Sequence, residues 1–391
     1  MEKMCPGVIG KYLRNLGLIA GGWLLSAALY SLPCMATEHH GEEHYKTKPV
    51  VQKIENIRKD VIERNGVRVV LDEEHAGLLK EFSIEIGDPM HRLNFINPNK
   101  EWDGGRSMQL QLYGFLPYYY KEEIGRLVPC DSPTEGGDMY GNGNPVEIKD
   151  VRYPDGRIVP NAREVEFRPM DWFRNNVHSR FKIKRAYVLG DGLYAIYLLE
   201  NLWERDTIVH TQELPALYLQ KDENGFYPKY IVYCKGNPWT DEPFEVRELT
   251  DDFPQWFKGY NSISLPEKWF AVLDEKGRGV ALFGIYMPKS DDPKRGVYCL
   301  FRPPEDIIDA LYASLRSNLK IRGRSKQTMA FILYPVEENG NDIYEVREKI
   351  NKEYEFWKEH EFWEGIFMGN QLYEAIKQLT IYRTNKLKPE K

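Results

Sequence analysis

Two apolar runs around an Asp-Glu-Lys-Gly turn, in WFAVLDEKGRGVALF (269–283), set the strongest constraint on what this chain can fold into. Runs of this kind on either side of a short turn form an antiparallel hairpin. The same β-branched and aromatic signature with period 2 recurs in VRVVL (67–71), FSIEI (82–86), MQLQLYGFL (108–116) and FKIKRAYVL (181–189). It continues in LYAIYLLENLW (193–203), IVHTQELPALYL (208–219), KYIVYCKG, GVYCLFRP and TMAFILYPV. Gly, Pro, Asn and Asp fill the gaps, as antiparallel meanders require. Helical patterning is expected in VQKIENIRKDVIERNG (51–66), PEDIIDALYASLRSNLK (304–320) and NDIYEVREKINKEYEFWKEH (341–360). The last has an Asn/Asp start with acids early and bases late, as a helix dipole favours. The expectation is therefore an all-β dominated fold. It is a large antiparallel β-sandwich with a few peripheral helices near the C-terminus.

The N-terminus reads as an export signal over residues 1–36. Lys3, Lys11 and Arg14 precede the uncharged LGLIAGGWLLSAALYSL, and Cys34 and Ala36 supply a small-residue cleavage pattern. As a membrane anchor the apolar stretch is marginal against a bilayer core of about 30 Å, and no second span follows it. The expected product begins near Thr37, is periplasmic or extracellular, and has no membrane span after cleavage. Residues 37–64 read as a polar leader with a short helix, and 65–391 as one β-sandwich domain with C-terminal helical segments. No Ser/Gly/Pro linker divides the latter. A net charge of −6 among 391 residues gives no footprint for nucleic acid. Cys130, Cys234 and Cys299 would follow the cleavage site, enough for one disulfide and one thiol, with the pairing open. His39, His40 and His44 read as part of a solvated tail.

Three stretches carry polar groups suited to chemistry. In WDGGRSMQLQLYG (102–114), an extended strand would place Ser107, Gln109 and Gln111 on one face, with Met108, Leu110 and Leu112 on the other. Arg106, following two glycines, could clamp a carboxylate or hydroxyls. The second stretch, DSPTEGGDMYGNGNPVEI (131–148), is too long for a plain turn. It is expected to form the rim of a cleft, with Glu135 and Asp138 as acid or base. Calcium is an alternative ligand there, for Asp131, Glu135, Asp138 and Asn142 are hard oxygen donors, but their spacing is not that of a calcium loop. No cofactor or other metal is implied. In the third stretch, NLWERDTIVHTQELPALYL (201–219), His210 and Glu213 are candidates for proton transfer at a sugar carbon. They fall on opposite faces of a regular strand, so only a bulge would bring both to one cleft. Trp172, Trp239 and Trp269, at loop–strand junctions, could stack on sugar rings. No nucleophile elbow, Walker motif, dinucleotide fingerprint or HExxH occurs.

Taken in order, GRSMQ, SPTEGGD, QELPALY and WFAVLD resemble a group of secreted bacterial proteins. That group carries GRxxQ, NPTxxGD, QExPAxY and WAxVD motifs. The likeness spans roughly 65–350 and departs at Ser132, where Asn is expected, and at Phe270, where Ala is expected. Such proteins are similar in style to galactose-mutarotase-like supersandwiches, which the resemblance places in a carbohydrate context. The chain is accordingly expected to be an exported, glycan-cleaving or sugar-isomerising enzyme, hydrolase or lyase. Arg106, Gln109, Gln111 and the three tryptophans would bind an oligo- or polysaccharide. His210, Glu213, Glu135 and Asp138 would supply acid and base. The alternative is a non-catalytic glycan-binding or cell-envelope surface protein. The sequence sets neither the sugar nor the oligomeric state.

Overall fold

The computed structural model describes residues 59–358, apart from 88–90, 98–106, 114–117, 122–124, 130–131, 154, 210, 221, 223–224, 234–245, 250–261, 265–267, 288–296, 303–309, 318 and 338–341. Antiparallel strands dominate it. One sheet of nine strands runs, edge to edge, through Val246–Glu248, Tyr230–Tyr233, Trp269–Leu273, Gly279–Tyr286 and Lys326–Val336, then Leu193–Asn201, Phe181–Leu189, Ile158–Phe167 and Lys149–Arg152. A second, of seven strands, runs Met170–Asp171, Pro133–Thr134, Gln109–Tyr113, Thr211–Gln220, Ala310–Ser317, Val297–Arg302 and Ser262–Ser264. Lys59–Arg64, Val67–Asp72, Leu78–Glu85 and Arg92–Asn94 make a four-stranded sheet.

The two large sheets share one core. Leu110, Leu112, Leu217 and Leu315 of the seven-stranded sheet lie in the same buried apolar cluster as Ile183, Tyr197, Ala281 and Phe331 of the nine-stranded one. The close approach shows at Gly284, where an added Cβ would stand 3.3 Å from Leu315 Cδ1. Period 2 explains the inward set. Along Phe181–Leu189, the residues Phe181, Ile183, Arg185, Tyr187 and Leu189 are all buried, while Lys182 and Lys184 reach outward to Glu166 and Glu164.

The expected hairpin is present, with Leu273 opposite Gly279 and Asp274 organising the turn. Its carboxylate accepts the amides of Lys276 at 2.8 Å and Arg278 at 2.9 Å. The helix expected over 341–360 is observed as Ile343–Lys358, where Asp342 Oδ1 accepts the Tyr344 amide at 2.8 Å as an N-cap. Its buried Ile350, Tyr354 and Trp357 cover the outer face of the nine-stranded sheet, with Trp357 edge-on to Tyr194 at 5.2 Å. It is the one helix among the described residues, and it is not long and apolar enough to cross a membrane.

Two helical expectations are corrected. Within 304–320, Ala310–Ser317 is a strand flanked on both sides by partners, with Leu311, Ala313 and Leu315 buried. The spacing Ile307, Leu311, Leu315 suits a helix and Leu311, Ala313, Leu315 suits a strand, so the two flanking ladders decide between them. Within 51–66, Lys59–Arg64 pairs antiparallel with Val67–Asp72 across Asn65 and Gly66. Their φ values of 48° and 78° are those of the two-residue turn that an Asn-Gly pair favours.

Candidate functional site

Three polar segments far apart in sequence meet at one end of the seven-stranded sheet. Gln111 lies opposite Thr134 on one side and opposite Glu213 on the other, while Thr134 lies opposite Met170. One register line thus runs Met170–Thr134–Gln111–Glu213 across four strands, and Gln109 takes the neighbouring position opposite Ala216. Directly opposed residues in an antiparallel ladder have Cα atoms about 4.5–5.5 Å apart, so the register sets these polar residues side by side in one row across the sheet. The ladder is regular from Thr211 to Glu213, and its irregularity falls between Glu213 and Ala216, around Pro215. The bulge therefore follows Glu213 and does not fall within Thr211–Glu213. Arg106, His210 and Trp239 lie outside the described residues, as do Asp131, Cys130, Cys234 and the segment 1–58.

The strand carrying the glutamines is fixed at its start by a clamp of buried groups. Ser107 Oγ donates to the Tyr218 carbonyl at 3.1 Å and accepts the Tyr218 amide at 2.8 Å. The Met108 amide donates to the Ala216 carbonyl at 2.8 Å, and the Tyr197 hydroxyl donates to the Met108 carbonyl at 2.7 Å. Met108 itself sits at φ +63°, a left-handed conformation that costs a non-glycine residue about 1–2 kcal/mol. This corrects the expected alternation. The reversal at Met108 removes Ser107 from any regular face with Gln109 and Gln111, and the ladder begins at Gln109.

Glu135 is not on a cleft rim. It is completely buried. Its Oε2 accepts the Leu110 amide at 2.9 Å and Arg185 Nη1 at 2.7 Å. Arg185 is equally buried, reaches the Ala76 carbonyl with Nη2, and lies 4.9 Å from the Tyr187 ring centroid. One ion pair therefore ties together the seven-stranded sheet, the nine-stranded sheet and the turn between Val67–Asp72 and Leu78–Glu85. Burial raises the Glu135 carboxyl to about 7, against the opposing pull of Arg185 and the Leu110 amide. Arg185 carried a legible signal, being a charged residue at an inward position of FKIKRAYVL.

Asp138 is likewise interior. Its Oδ1 accepts the amides of Tyr140 at 2.9 Å and Asn142 at 3.2 Å. Its Oδ2 accepts Asn142 Nδ2 at 2.8 Å and the Asn176 amide at 2.7 Å. With four donors on two oxygens, this carboxylate organises the loop and has no free lone pair for calcium or substrate. Asp138→Asn is expected to lower stability by about 1–2 kcal/mol, read as a lower thermal midpoint, because its amide would face two N–H groups. The loop glycines also serve packing, since a Cβ on Gly137 would stand 2.3 Å from the Asn142 carbonyl oxygen. Thus Ser132–Asp138 is buried, and the expectation of an exposed rim is corrected there. The reason is that the segment supplies a strand of the sheet and an ion-pair partner to the core.

The tryptophans divide. Trp269 is fully buried beneath the helix, its Nε1 bonded to Asn351 at 3.2 Å, so it packs the fold and is no sugar platform. Trp172 is half-buried, just past the edge strand Met170–Asp171, its carbonyl accepting the Met139 amide at 3.0 Å and its amide donating to the Ser132 carbonyl. Sequence reasoning missed the neighbours of Trp172. Asp171, buried and raised by desolvation, faces Arg174 at 3.3 Å. The buried Lys121 ammonium donates to the Phe173 carbonyl at 2.5 Å and to the Tyr140 hydroxyl. Nothing in the spacing marks Lys121, because it meets Tyr140 and Phe173 only across the loops. Among the described residues no cluster of three His, Cys, Asp or Glu side chains could hold a metal.

The architecture is that of a mostly-β protein built from large antiparallel sheets, a sandwich-like fold. No family model matches the sequence, and no curated protein matches it. Among solved structures it is similar to a galactose mutarotase related enzyme from Lactobacillus acidophilus. The identity is 12%, covering 73% of this chain and 99% of that one, with a TM-score of 0.44. It is also similar to a heparan sulfate lyase from Pedobacter heparinus, at 9% identity over 71% of this chain and 34% of that one, TM-score 0.34. A TPR-domain containing protein from Parabacteroides distasonis matches at 10% identity over 72% and 47%, TM-score 0.39. The chain spans less than half the length of the last two. All three likenesses concern the fold.

Proposed function

We propose that this chain is an exported carbohydrate-active protein that binds an oligo- or polysaccharide along the row Thr134–Gln111–Glu213 and the adjacent Gln109. The observation that supports this is the register line itself, on which segments at 109–111, 134 and 213 converge. Glutamine and glutamate are residue types whose side chains exchange hydrogen bonds with sugar hydroxyls, and Trp172 follows the edge strand Met170–Asp171 of the same sheet. Glu135 and Asp138 are occupied by interior bonds, so they give no support to a facing carboxyl pair of the kind glycoside hydrolysis uses. Glu213 and His210 remain as candidate bases, which favours proton abstraction at a sugar carbon, a lyase or isomerase reaction, over hydrolysis. In a lyase, Arg106 would neutralise a uronate carboxylate. The withdrawal of Glu135 and Asp138 from the acid–base pool also favours the second reading, non-catalytic glycan binding.

The test is calorimetric binding of the purified protein to a polysaccharide panel, with ultraviolet detection of unsaturated products and reducing-end assays on the same panel. Gln111→Ala is expected to weaken Kd about tenfold, the equivalent of one lost hydrogen bond of about 1.4 kcal/mol. Glu213→Gln keeps a hydrogen-bonding group in the row but removes the carboxylate base, so it is expected to bind within a few-fold of the parent and to turn nothing over. Binding without turnover in the parent selects the second reading. No binding across the panel, or a Gln111→Ala protein that binds unchanged, overturns both.

A further inference from the structure

Resting on that assignment of the polar row, we infer that Tyr197 is a positioning residue for it, acting from the opposite sheet through its hydroxyl bond to the Met108 carbonyl. Tyr197 is fully buried on the inward face of Leu193–Asn201, where it lies directly opposite Arg185. Its ring meets Phe331 edge-on at 5.7 Å, which fixes the phenol in the core. From that fixed base the hydroxyl reaches 2.7 Å to the carbonyl of the one residue in this segment with a left-handed backbone. Met108 immediately precedes Gln109, and two residues on, the Leu110 amide is held by Glu135, the partner of Arg185.

Besides the Met108 amide's bond to the Ala216 carbonyl, the chain from Met108 to Leu110 is thus tied at two points to one buried cluster, and Gln109 is the residue between them. A left-handed residue persists only where its surroundings over-determine it. Without the hydroxyl the Met108 peptide can relax to an extended conformation, which would turn the chain at Gln109 and shift the register with Glu213. The inference accounts for an otherwise unfavourable conformation at the head of the binding row, and it gives a core tyrosine a role in ligand recognition.

Tyr197→Phe removes only the oxygen. Tyr194→Phe is its control, the same change on the same strand but on the outer face, against Trp357. Amide exchange read by mass spectrometry on peptides covering Gln109–Tyr113 is expected to quicken about tenfold in Tyr197→Phe. Exchange in Phe181–Leu189 should stay as in the parent, and Tyr194→Phe should change neither. Kd for the saccharide found with the parent should rise about tenfold in Tyr197→Phe alone. Unchanged exchange in Gln109–Tyr113, or equal quickening in Tyr194→Phe, overturns the inference. Quickened exchange in a protein that binds no saccharide upholds the positioning role and overturns the carbohydrate assignment instead. Should Tyr197→Phe not fold, the parent decides: the Leu110 and Gln111 amides must exchange only through global unfolding, at the rate of the Phe181–Leu189 core, and faster exchange overturns the inference.

Discussion

Arg185→Met is expected to destabilise the protein by about 3–5 kcal/mol, because it leaves the Glu135 carboxyl buried without its counter-ion. Burying two charges has a desolvation cost that their attraction only roughly offsets, so the intact pair adds little net stability. Breaking it is another matter. Oε2 keeps the Leu110 amide but loses the guanidinium, and the Ala76 carbonyl loses its donor. The sheets that these groups join lose the link between them. Urea titration is the measurement, and a lower midpoint with an unchanged slope would locate the effect in the folded state. Adding Glu135→Gln should recover part of the loss, since an amide oxygen still accepts from Leu110 without carrying a charge. The Ala76 carbonyl stays unpaired in both variants, so recovery should be incomplete. Losses that simply add would mean that the two residues do not act as a pair.

The second large effect is on pH dependence. Glu135 stands at about 7 in the folded protein, against 4.5 for the ordinary side chain, with burial as the leading cause and Arg185 opposing it. A carboxyl whose folded value is raised holds its proton more tightly when folded than when unfolded. Its contribution is therefore fully present below about pH 4.5 and is lost as pH rises through about 7. Over that window the parent should lose about 3 kcal/mol from this group, at 1.36 kcal/mol per pKa unit. Glu135→Gln cannot titrate and should lack this component. The stability difference between parent and Glu135→Gln, taken from urea titrations between pH 4.5 and 7.5, should therefore fall steadily as pH rises. A flat difference would show that burial does not shift this carboxyl.

Both predictions concern a residue that the sequence presents as a catalytic acid in a glycine-rich loop. Its type and neighbours suit that role, and so do those of Asp138. Whether a carboxylate is a reagent or a keystone depends on what stands within about 3 Å of it, and for Glu135 that is Arg185, 50 positions away. The wrong helix at 310–317 has a related cause. A segment whose apolar residues fit both periods takes the structure its neighbours can bond to, and of those neighbours, 297–302 precedes it directly while 211–220 is distant in sequence.

What the sequence determined by itself is what local chemistry can encode. Period-2 apolar alternation specified many strands of the two large sheets, though not Ala310–Ser317, Ile158–Phe167 or Lys149–Arg152; turn residues such as Asp274 specified the hairpin, and Asp342 with the amphipathic run after it specified the helix. Parts of three motif segments, Gln109–Gln111, Thr134 and Glu213–Ala216, come together at one end of one sheet. Only the tertiary structure decided what those segments do there. It put Gln111 opposite Glu213, set Met108 in a left-handed turn beneath the Tyr197 hydroxyl, and drew Glu135 into the core. The physical reason is that register, burial and ion pairing are interactions between groups brought together by folding. A spacing rule along the chain sees only the groups a few residues apart.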